Sequence, residues 1–545
     1  MLFCAVKYNN MLKNRFLLYI FLIVITLTGC AKRGSITGGP QDTIPPVLVR
    51  SNPENMSTNF SGNQIRIDFN EYIKIKDVNK QLIISPPMNT QPDIMPMGNA
   101  SRYITIKIKD TLQPNTTYSF NFGQSITDNN EGNPYSQFKF VFSTGAYIDS
   151  LTLNGTIKDA YTKETDDFVT VMLYEANEQF NDSTIYKERP RYVTNTLDSL
   201  TMYSLQNLKA GKYHIFALKD KSNNYKYDPK SDKIAFLKDP VTIPTDTLYT
   251  LELFEEKRAF KAVKPTFITS NRLVLGYEGD PRGVKPVVKN GQDVIPSITT
   301  QLSQKDSVQI WIPRDVKADS LQVSVNHSGF SKDFYVKMKE LKASDSLAVS
   351  PVQKGILHFR EKFAITASTP LVAFDKTKMA LIRKDSTAVE FTTAYNEFDQ
   401  KLEFDFAKQE DQQYTVTLLP GALKDFYGKE NDSLQYKLST QTLADYGNLR
   451  VSLENVNRFP LILEILNAKG DIQASYYSEK ETQINFDAIL PEKYTLRVIY
   501  DDNKNREWDS GNYLEKRQPE EVIYFPKEVD VRANWDVEQD FNLGG

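Results

Sequence analysis

The chain has 545 residues, 12% of them aromatic, with 66 basic against 69 acidic side chains and a formal charge of −3. That length implies several domains, and 29 Tyr and 31 Phe supply apolar surface for several cores, which excludes a largely disordered chain. The charges are interspersed without a long basic block, so the electrostatic footprint of a nucleic-acid binder is missing and nucleic acid is excluded as a partner.

In chain order, the first expected element is a targeting segment over 1–29. Lys13 and Arg15 precede FLLYIFLIVITL at 16–27. Twelve apolar residues suit a signal-peptide core and fall short of the roughly 20 needed to span a bilayer. LTGC at 27–30 follows and resembles the bacterial lipobox. The alternative is a plain signal peptide with a chance Cys. The resemblance implies acylation of Cys30, which becomes the first residue of the mature chain, and two or more acyl chains suffice for stable membrane anchoring. Met11 gives a more compact signal than Met1, and Cys4 then lies outside the translated chain. Cleavage removes Lys7, Lys13 and Arg15 but no acid, taking the charge from −3 to −6. The mature chain keeps no free thiol and no disulfide, which large domains with their own cores do not need.

Residues 30–43 begin a Gly- and Pro-rich run that reads as a tether. Ala31, Lys32 and Arg33 lack the acidic cluster resembling a surface-export signal, so the expected location is the periplasmic face of the outer membrane. Beyond the tether, QIRIDF (64–69), RYITIKIK (102–109), YSFNF (118–122) and FKFVF (138–142) alternate apolar with polar residues between Asn, Asp, Gly and Pro turns. The same texture recurs to the end, as in TVMLYEA, KYHIFALKD, SVQIWIP, KLEFDF, LILEIL and YTLRVIY, and no long stretch has helical periodicity. The expected fold is all-β, a tandem of sandwiches with a few short helical turns at most.

Two internal repeats set the expected boundaries. YSFNFGQSITDNNEGN (118–133) is answered by YTVTLLPGALKDFYGKEN (414–431), and LKAGKYHIFALKDKSNNYKYDPKSD (208–232) by LPEKYTLRVIYDDNKNREWDSGN (490–512). The expected modules are 44–147, 148–256, 257–350, 351–445 and 446–545. The first, from IPPVLVRSNPENMSTNFSGNQIRIDFNEYI to FSTG, resembles the bacterial Ig-like domain of Bacteroidota envelope lipoproteins, with a divergent echo at 351–445. That resemblance implies an immunoglobulin-type sandwich without catalytic residues. Modules 148–256 and 446–545 resemble prealbumin or collagen-adhesin B-type sandwiches, through LNGTIKDA (153–160) and the Lys-Tyr start of the repeated strand.

Chemistry-bearing motifs are few. His214, His327 and His358 fall in three different modules, against a His-based triad or a multi-His zinc site, and no phosphate-cradling Gly loop is present. No enzyme activity is expected. The repeated Asx-rich loops are candidate calcium sites, because positions 1, 3, 5, 7 and 9 of a calcium loop supply oxygen ligands. These are Asp501, Asn503, Asn505, Glu507 and Asp509 in one copy, and Asp220, Ser222, Asn224, Lys226 and Asp228 in the other. Tyr225 and Arg506 replace the turn Gly, and Ser231 and Asn512 the closing Glu; Asp232 and Glu515 are possible substitutes. The competing reading is a polar turn bonding its own backbone.

Asp followed by Ser or Thr and then an apolar residue or Thr recurs at Thr43, Thr111, Ser150, Ser183, Ser199, Thr247, Ser307, Ser320, Ser346, Ser386 and Ser433. It resembles an O-glycosylation acceptor of exported Bacteroidota proteins, and it is also an ordinary turn-to-strand pair. The expected function is that of a lipid-anchored envelope scaffold or protein-binding surface. The alternative is a glycan or polymer binder with an exposed aromatic platform at Trp508 or Tyr227, Trp311 being expected in a core.

Overall fold

The computed structural model describes residues 42–196, 201–302, 305–339, 341 and 345–544. Strands dominate, and helices are confined to single turns such as Val78–Gln81 and Thr184–Lys187, as the alternating sequence requires. The contacts divide the chain into two units, the first comprising residues up to 82, 88–115 and 120–146, and the second 83–87, 116–119 and 147 onwards.

In the first unit, strand Gln64–Ile75 shows how pattern becomes fold. Ile65, Ile67, Phe69, Ile73 and Ile75 are buried while Gln64, Arg66 and Asp68 point outward, and each such side chain removed from water stabilises by about 1.5–3 kcal/mol. This strand lies between Leu48–Asn52 and Ser101–Lys107, with Asp93–Met95 at the far edge. The core is aromatic, with Phe120 stacked on Phe142 at 6.1 Å and Phe60 tilted against Phe142 at 4.5 Å.

The turn after Ile126–Asp128 is built on one buried carboxylate. Asp128 accepts the backbone N–H of Asn130, Glu131, Gly132 and Asn133 at 2.7–3.0 Å. Burial raises its pKa, but the four donors outweigh burial and hold it below the ordinary 3.8. Because the folded value is depressed, this stabilisation is present above the unfolded pKa and is lost as pH falls through the folded one. Asp128→Asn is expected to cost about 1–3 kcal/mol at neutral pH and to flatten the acid limb of the unfolding curve of this unit, read by circular dichroism against pH. Asp425 plays the same part at the repeated position, accepting from Tyr427 N at 3.0 Å, Lys429 N at 2.8 Å and Thr369 Oγ1 at 2.8 Å.

The second unit contains four successive β-sandwich segments. In the first, a sheet ordered Tyr192–Asn195, Thr170–Glu175, Gly211–Lys219, Lys233–Phe236 faces a sheet ordered Met202–Leu208, Leu151–Asp159, Tyr249–Leu253, whose last two strands are parallel. The last segment repeats this order with Ile472–Ser478, Leu461–Leu466, Lys493–Tyr500, Val522–Tyr524 facing Gln483–Ile489, Gly447–Glu454, Asp536–Asn542, and again the terminal strands run parallel. Between them, residues 260–338 form a sandwich around Leu273, Ile310, Val323 and Phe334, and residues 347–439 another around Phe363, Phe404, Tyr414 and Val416.

Several strands depart from the expected half-burial, among them Thr117–Asn121 and Lys139–Ser143. Every residue of Leu461–Leu466 is buried, as is Thr170–Tyr174. Val171 and Leu173 enter the core between the sheets, whereas Met172 and Tyr174 belong to a second apolar cluster on the outer face. Runs without alternation mark strands covered on both sides.

Candidate functional site

Both repeated loops are turns wrapped around two carboxylates, of which Asp501, Glu520 and Asp232 are buried and Asp220 is half-buried. The carboxylate of Asp501, fully buried, accepts Asn505 N at 3.1 Å and Arg506 N at 2.8 Å. Asp220 accepts the equivalent Asn224 N at 2.8 Å and Tyr225 N at 2.7 Å. Glu520 then closes the 501 loop by accepting Asn503 N at 3.3 Å and Asp509 N at 2.9 Å. Asp232 closes the 220 loop by accepting Lys221 N at 3.1 Å and Asp228 N at 3.0 Å. The backbone reverses through positive φ at Asn223 and Tyr225 and at Lys504 and Arg506, so the residues at the expected Gly positions do adopt the left-handed turn, at a steric cost.

Burial raises the pKa of Asp220 and of Glu520, outweighing their N–H donors. A carboxylate with a raised folded pKa favours the folded state as pH falls from that value toward the unfolded one, opposite in sign to Asp128.

The remaining polar residues of the 501 loop are engaged too. Asp509 accepts the side-chain amides of Asn503 and Asn505 and pairs with Lys257. Burial raises the Asp509 pKa, but Lys257 and the amides hold it below normal. Glu507 is drawn away to Arg282, with Oε2 accepting Nη2 at 2.9 Å. Calcium would need these oxygens, and in this arrangement they already accept N–H donors; among the described residues no group of three or more acidic, His or Cys side chains is placed to hold a metal. The donors of the 501 loop thus serve a capped turn, while in the 220 loop Asp220 Oδ1 is buried without a hydrogen-bond partner. Asp501→Ala, which leaves the part-buried N–H groups of Asn505 and Arg506 without their acceptor, is expected to lower stability by about 1–3 kcal/mol, while millimolar calcium leaves the melting temperature unchanged in differential scanning calorimetry.

The loop and the residues after it join modules within the second unit. Trp508 packs on Tyr161 with ring centroids 4.5 Å apart and donates its indole N–H to Glu520 O at 3.0 Å. Tyr513 is buried among Phe216, Phe236 and Tyr186, with centroids 5.5, 5.4 and 6.2 Å away. Glu256 bridges the two copies, accepting Tyr227 Oη at 2.8 Å and Tyr513 N at 2.6 Å. Gly511 is needed because a Cβ there would meet the Phe254 ring at 2.5 Å. Beside this contact, Arg497 pairs with Glu464 at 2.6 Å, both buried, stacks over the Tyr161 ring at 4.1 Å and donates to Tyr161 Oη at 2.6 Å.

This placement corrects the aromatic-platform expectation. Tyr227 is buried and Trp508 half-buried in packing, because each loop folds its ring back onto an apolar sheet face. Trp311 is fully buried and donates to Thr300 Oγ1 at 2.8 Å, as expected of a core residue. The exposed Trp is Trp535, 54% accessible and beside Arg532. The histidines are apart: His214 stacks on Phe180 at 4.0 Å, His327 Nε2 lies 3.1 Å from Asp280 O, and His358 Nδ1 lies 2.9 Å from Tyr446 Oη. Burial lowers the His214 pKa.

Cys30 and Ser199 lie outside the described residues. Of the remaining acceptor-like hydroxyl residues, Thr43, Thr111, Ser150, Thr247, Ser320, Ser346, Ser386 and Ser433 are exposed, whereas Ser183 and Ser307 are half-buried. No described helix is long and apolar enough to cross a membrane.

Fold and site together define an all-β protein of tandem β-sandwiches, the first of them Ig-like. Residues 42–144 match the family model described as bacterial Ig-like domain. No curated protein matches the chain. Among solved structures, it is similar to the S-layer protein rSbsC(31-844), at 12% identity over 89% of this chain and 67% of that one, with a TM-score of 0.15. It is also similar to the Bacillus anthracis TIE protein, at 12% identity over 93% and 76% of the two chains and a TM-score of 0.14. The I67-I69 I-band fragment of titin shares 9% identity over 52% of this chain and 98% of that one, with a TM-score of 0.12. TM-scores this low support no conclusion about function.

Proposed function

We propose that the protein is a non-enzymatic, lipid-anchored envelope scaffold whose sandwiches hold a protein-binding surface off the membrane. The observation that carries this reading is the use of the repeated loops. Their carboxylates, amides and rings, the side chains best suited to chemistry or ligand binding, are taken up by backbone capping and by contacts between modules. Such a scaffold acts through exposed loops and edges rather than through a central pocket.

Cys30 in LTGC is the proposed anchor, on the periplasmic face of the outer membrane. Metabolic labelling with an alkyne-bearing palmitate analogue should mark the full chain and fail on Cys30→Ala; retained label would remove the anchor. Digestion of the protein by protease added to intact cells would move it to the outer face. The exposed Asp-Ser and Asp-Thr sites are the proposed O-glycan acceptors, and an unmodified intact mass from the native host would eliminate them. In-cell cross-linking with mass spectrometry of the neighbours tests the scaffold itself, which predicts envelope proteins among the cross-linked partners.

A further inference from the structure

We infer that a second copy of this chain pairs with strand Phe330–Lys337 of the 260–338 sandwich, extending its four-stranded sheet across a two-fold axis at Tyr335. This strand ends the sheet ordered Asp293–Ile295, Val287–Asn290, Ser320–His327, Phe330–Lys337. It pairs with Ser320–His327 in unbroken register from Ser320↔Lys337 to His327↔Phe330. The connecting residues Ser328 and Gly329 both have positive φ, 45° and 79°, which is the two-residue turn whose twist suits a hairpin. In such a hairpin the pair flanking the turn exchanges both backbone bonds, and bonded and non-bonded pairs then alternate. The N–H and C=O groups of Phe330, Lys332, Phe334 and Val336 therefore point into the sheet, and those of Ser331, Asp333, Tyr335 and Lys337 point out of its edge.

Proteins normally blunt such an edge with a bulge, a short strand, Pro or charged side chains; this strand carries Lys332 and Lys337, but with Asp333 between them its charge is of both signs and can pair with a second copy. Several other edges here are treated that way, while Phe391–Asn396 is a second edge without break, Pro or charge, shorter at six residues and without a self-complementary charge pair. Leu48–Asn52, Met202–Leu208 and Ile472–Ser478 have register breaks, and Asp93–Met95 and Asp293–Ile295 are three residues long. Asp536–Asn542 carries Asp536, Glu538 and Asp540. Phe330–Lys337 has eight residues, no Pro and no bulge.

Its side chains are self-complementary in one register. Antiparallel pairing centred on Tyr335 sets Tyr335 against Tyr335 and Asp333 against Lys337 of the second copy, twice, all four being exposed. The same register makes 333:337, 335:335 and 337:333 the bonded pairs, using the outward-pointing backbone groups. On the opposite face Phe334 meets Val336 of the second copy. Centring the axis on Asp333 would oppose two carboxylates, and on Phe334 would leave Asp333 facing Tyr335. Among the described residues neither Asp333 nor Lys337 forms an ion pair, so both are available to the second copy.

Cysteine cross-linking of the full chain, purified in detergent, tests the register, with the parent chain as background. Bonded antiparallel pairs hold their Cα atoms about 5.5 Å apart, within disulfide range. Tyr335→Cys is expected to give a disulfide-linked dimer under mild oxidation. Asp333→Cys alone, whose copies would lie about 13 Å apart along the strand, is expected to give none, and Asp333→Cys with Lys337→Cys restores it. Sedimentation should show at least a tenfold loss of dimer on Asp333→Lys and recovery on adding Lys337→Asp. No dimer with Tyr335→Cys, equal cross-linking by Asp333→Cys alone, or insensitivity to the charge reversals would each overturn the pairing. All substituted side chains are exposed, so folding is not at risk.

Discussion

Glu464→Ala is expected to destabilise the C-terminal segment by about 3–5 kcal/mol, the cost of leaving a buried charge without its partner. Arg497 is 3% exposed and Glu464 7%, so neither can turn to water. Arg497 would keep its stacking on Tyr161 and its bond to Tyr524 Oη at 3.1 Å, which are neutral partners for a full charge. Replacing both, with Glu464→Leu and Arg497→Met, should recover most of the loss, since buried pairs exchanged for apolar residues are often neutral in stability. Calorimetry that resolves module transitions is the measurement, because a chain of several sandwiches need not unfold in two states. A loss below about 1 kcal/mol for Glu464→Ala would mean that water reaches the pair.

Tyr513→Ala is the second large effect. The ring is 1% exposed within the cluster formed by Met172, Phe216, Phe236 and Phe254, and removing a buried aromatic costs about 3–5 kcal/mol. That cluster lies on the outer face of the 148–256 sandwich, so the cost falls on the contact between modules rather than on either inner core. The expected signature is faster hydrogen exchange in Thr170–Glu175 and Gly211–Lys219, with exchange in Leu449, Val451 and Leu463 of the C-terminal core unchanged. Equal loss of protection in both cores would show that Tyr513 supports the C-terminal fold itself.

Much of the fold was legible because a half-buried strand writes its environment into a two-residue period. Ile65, Ile67 and Phe69 inward and Arg66 and Asp68 outward are direct consequences. The repeats were legible for a related reason. Asp128 and Asp425, and Asp501 and Asp220, must occupy one position in each turn to reach N–H groups a few residues ahead.

Glu520 was not legible as the partner of Asp501. It lies 19 residues further on, whereas Asp232 lies 12 after Asp220, because the segment carrying Gly511, Tyr513 and Gln518 intervenes and reaches the other module. Nor does local pattern assign Trp508 a neighbour. An aromatic ring in a polar loop reads as exposed until the apolar outer face that covers it is known; the unbroken runs TVMLY and LILEIL were the available sign of such faces.

By itself the sequence determined the all-β class, the short turns between strands and the duplicated loops, since those depend on residues close in the chain. Only the tertiary structure decided that the loops are capped joints whose rings are packed between modules. That depended on Lys257, Arg282, Glu256 and Tyr161, which lie hundreds of residues from the 501 loop and reach it only when the sandwiches fold against one another.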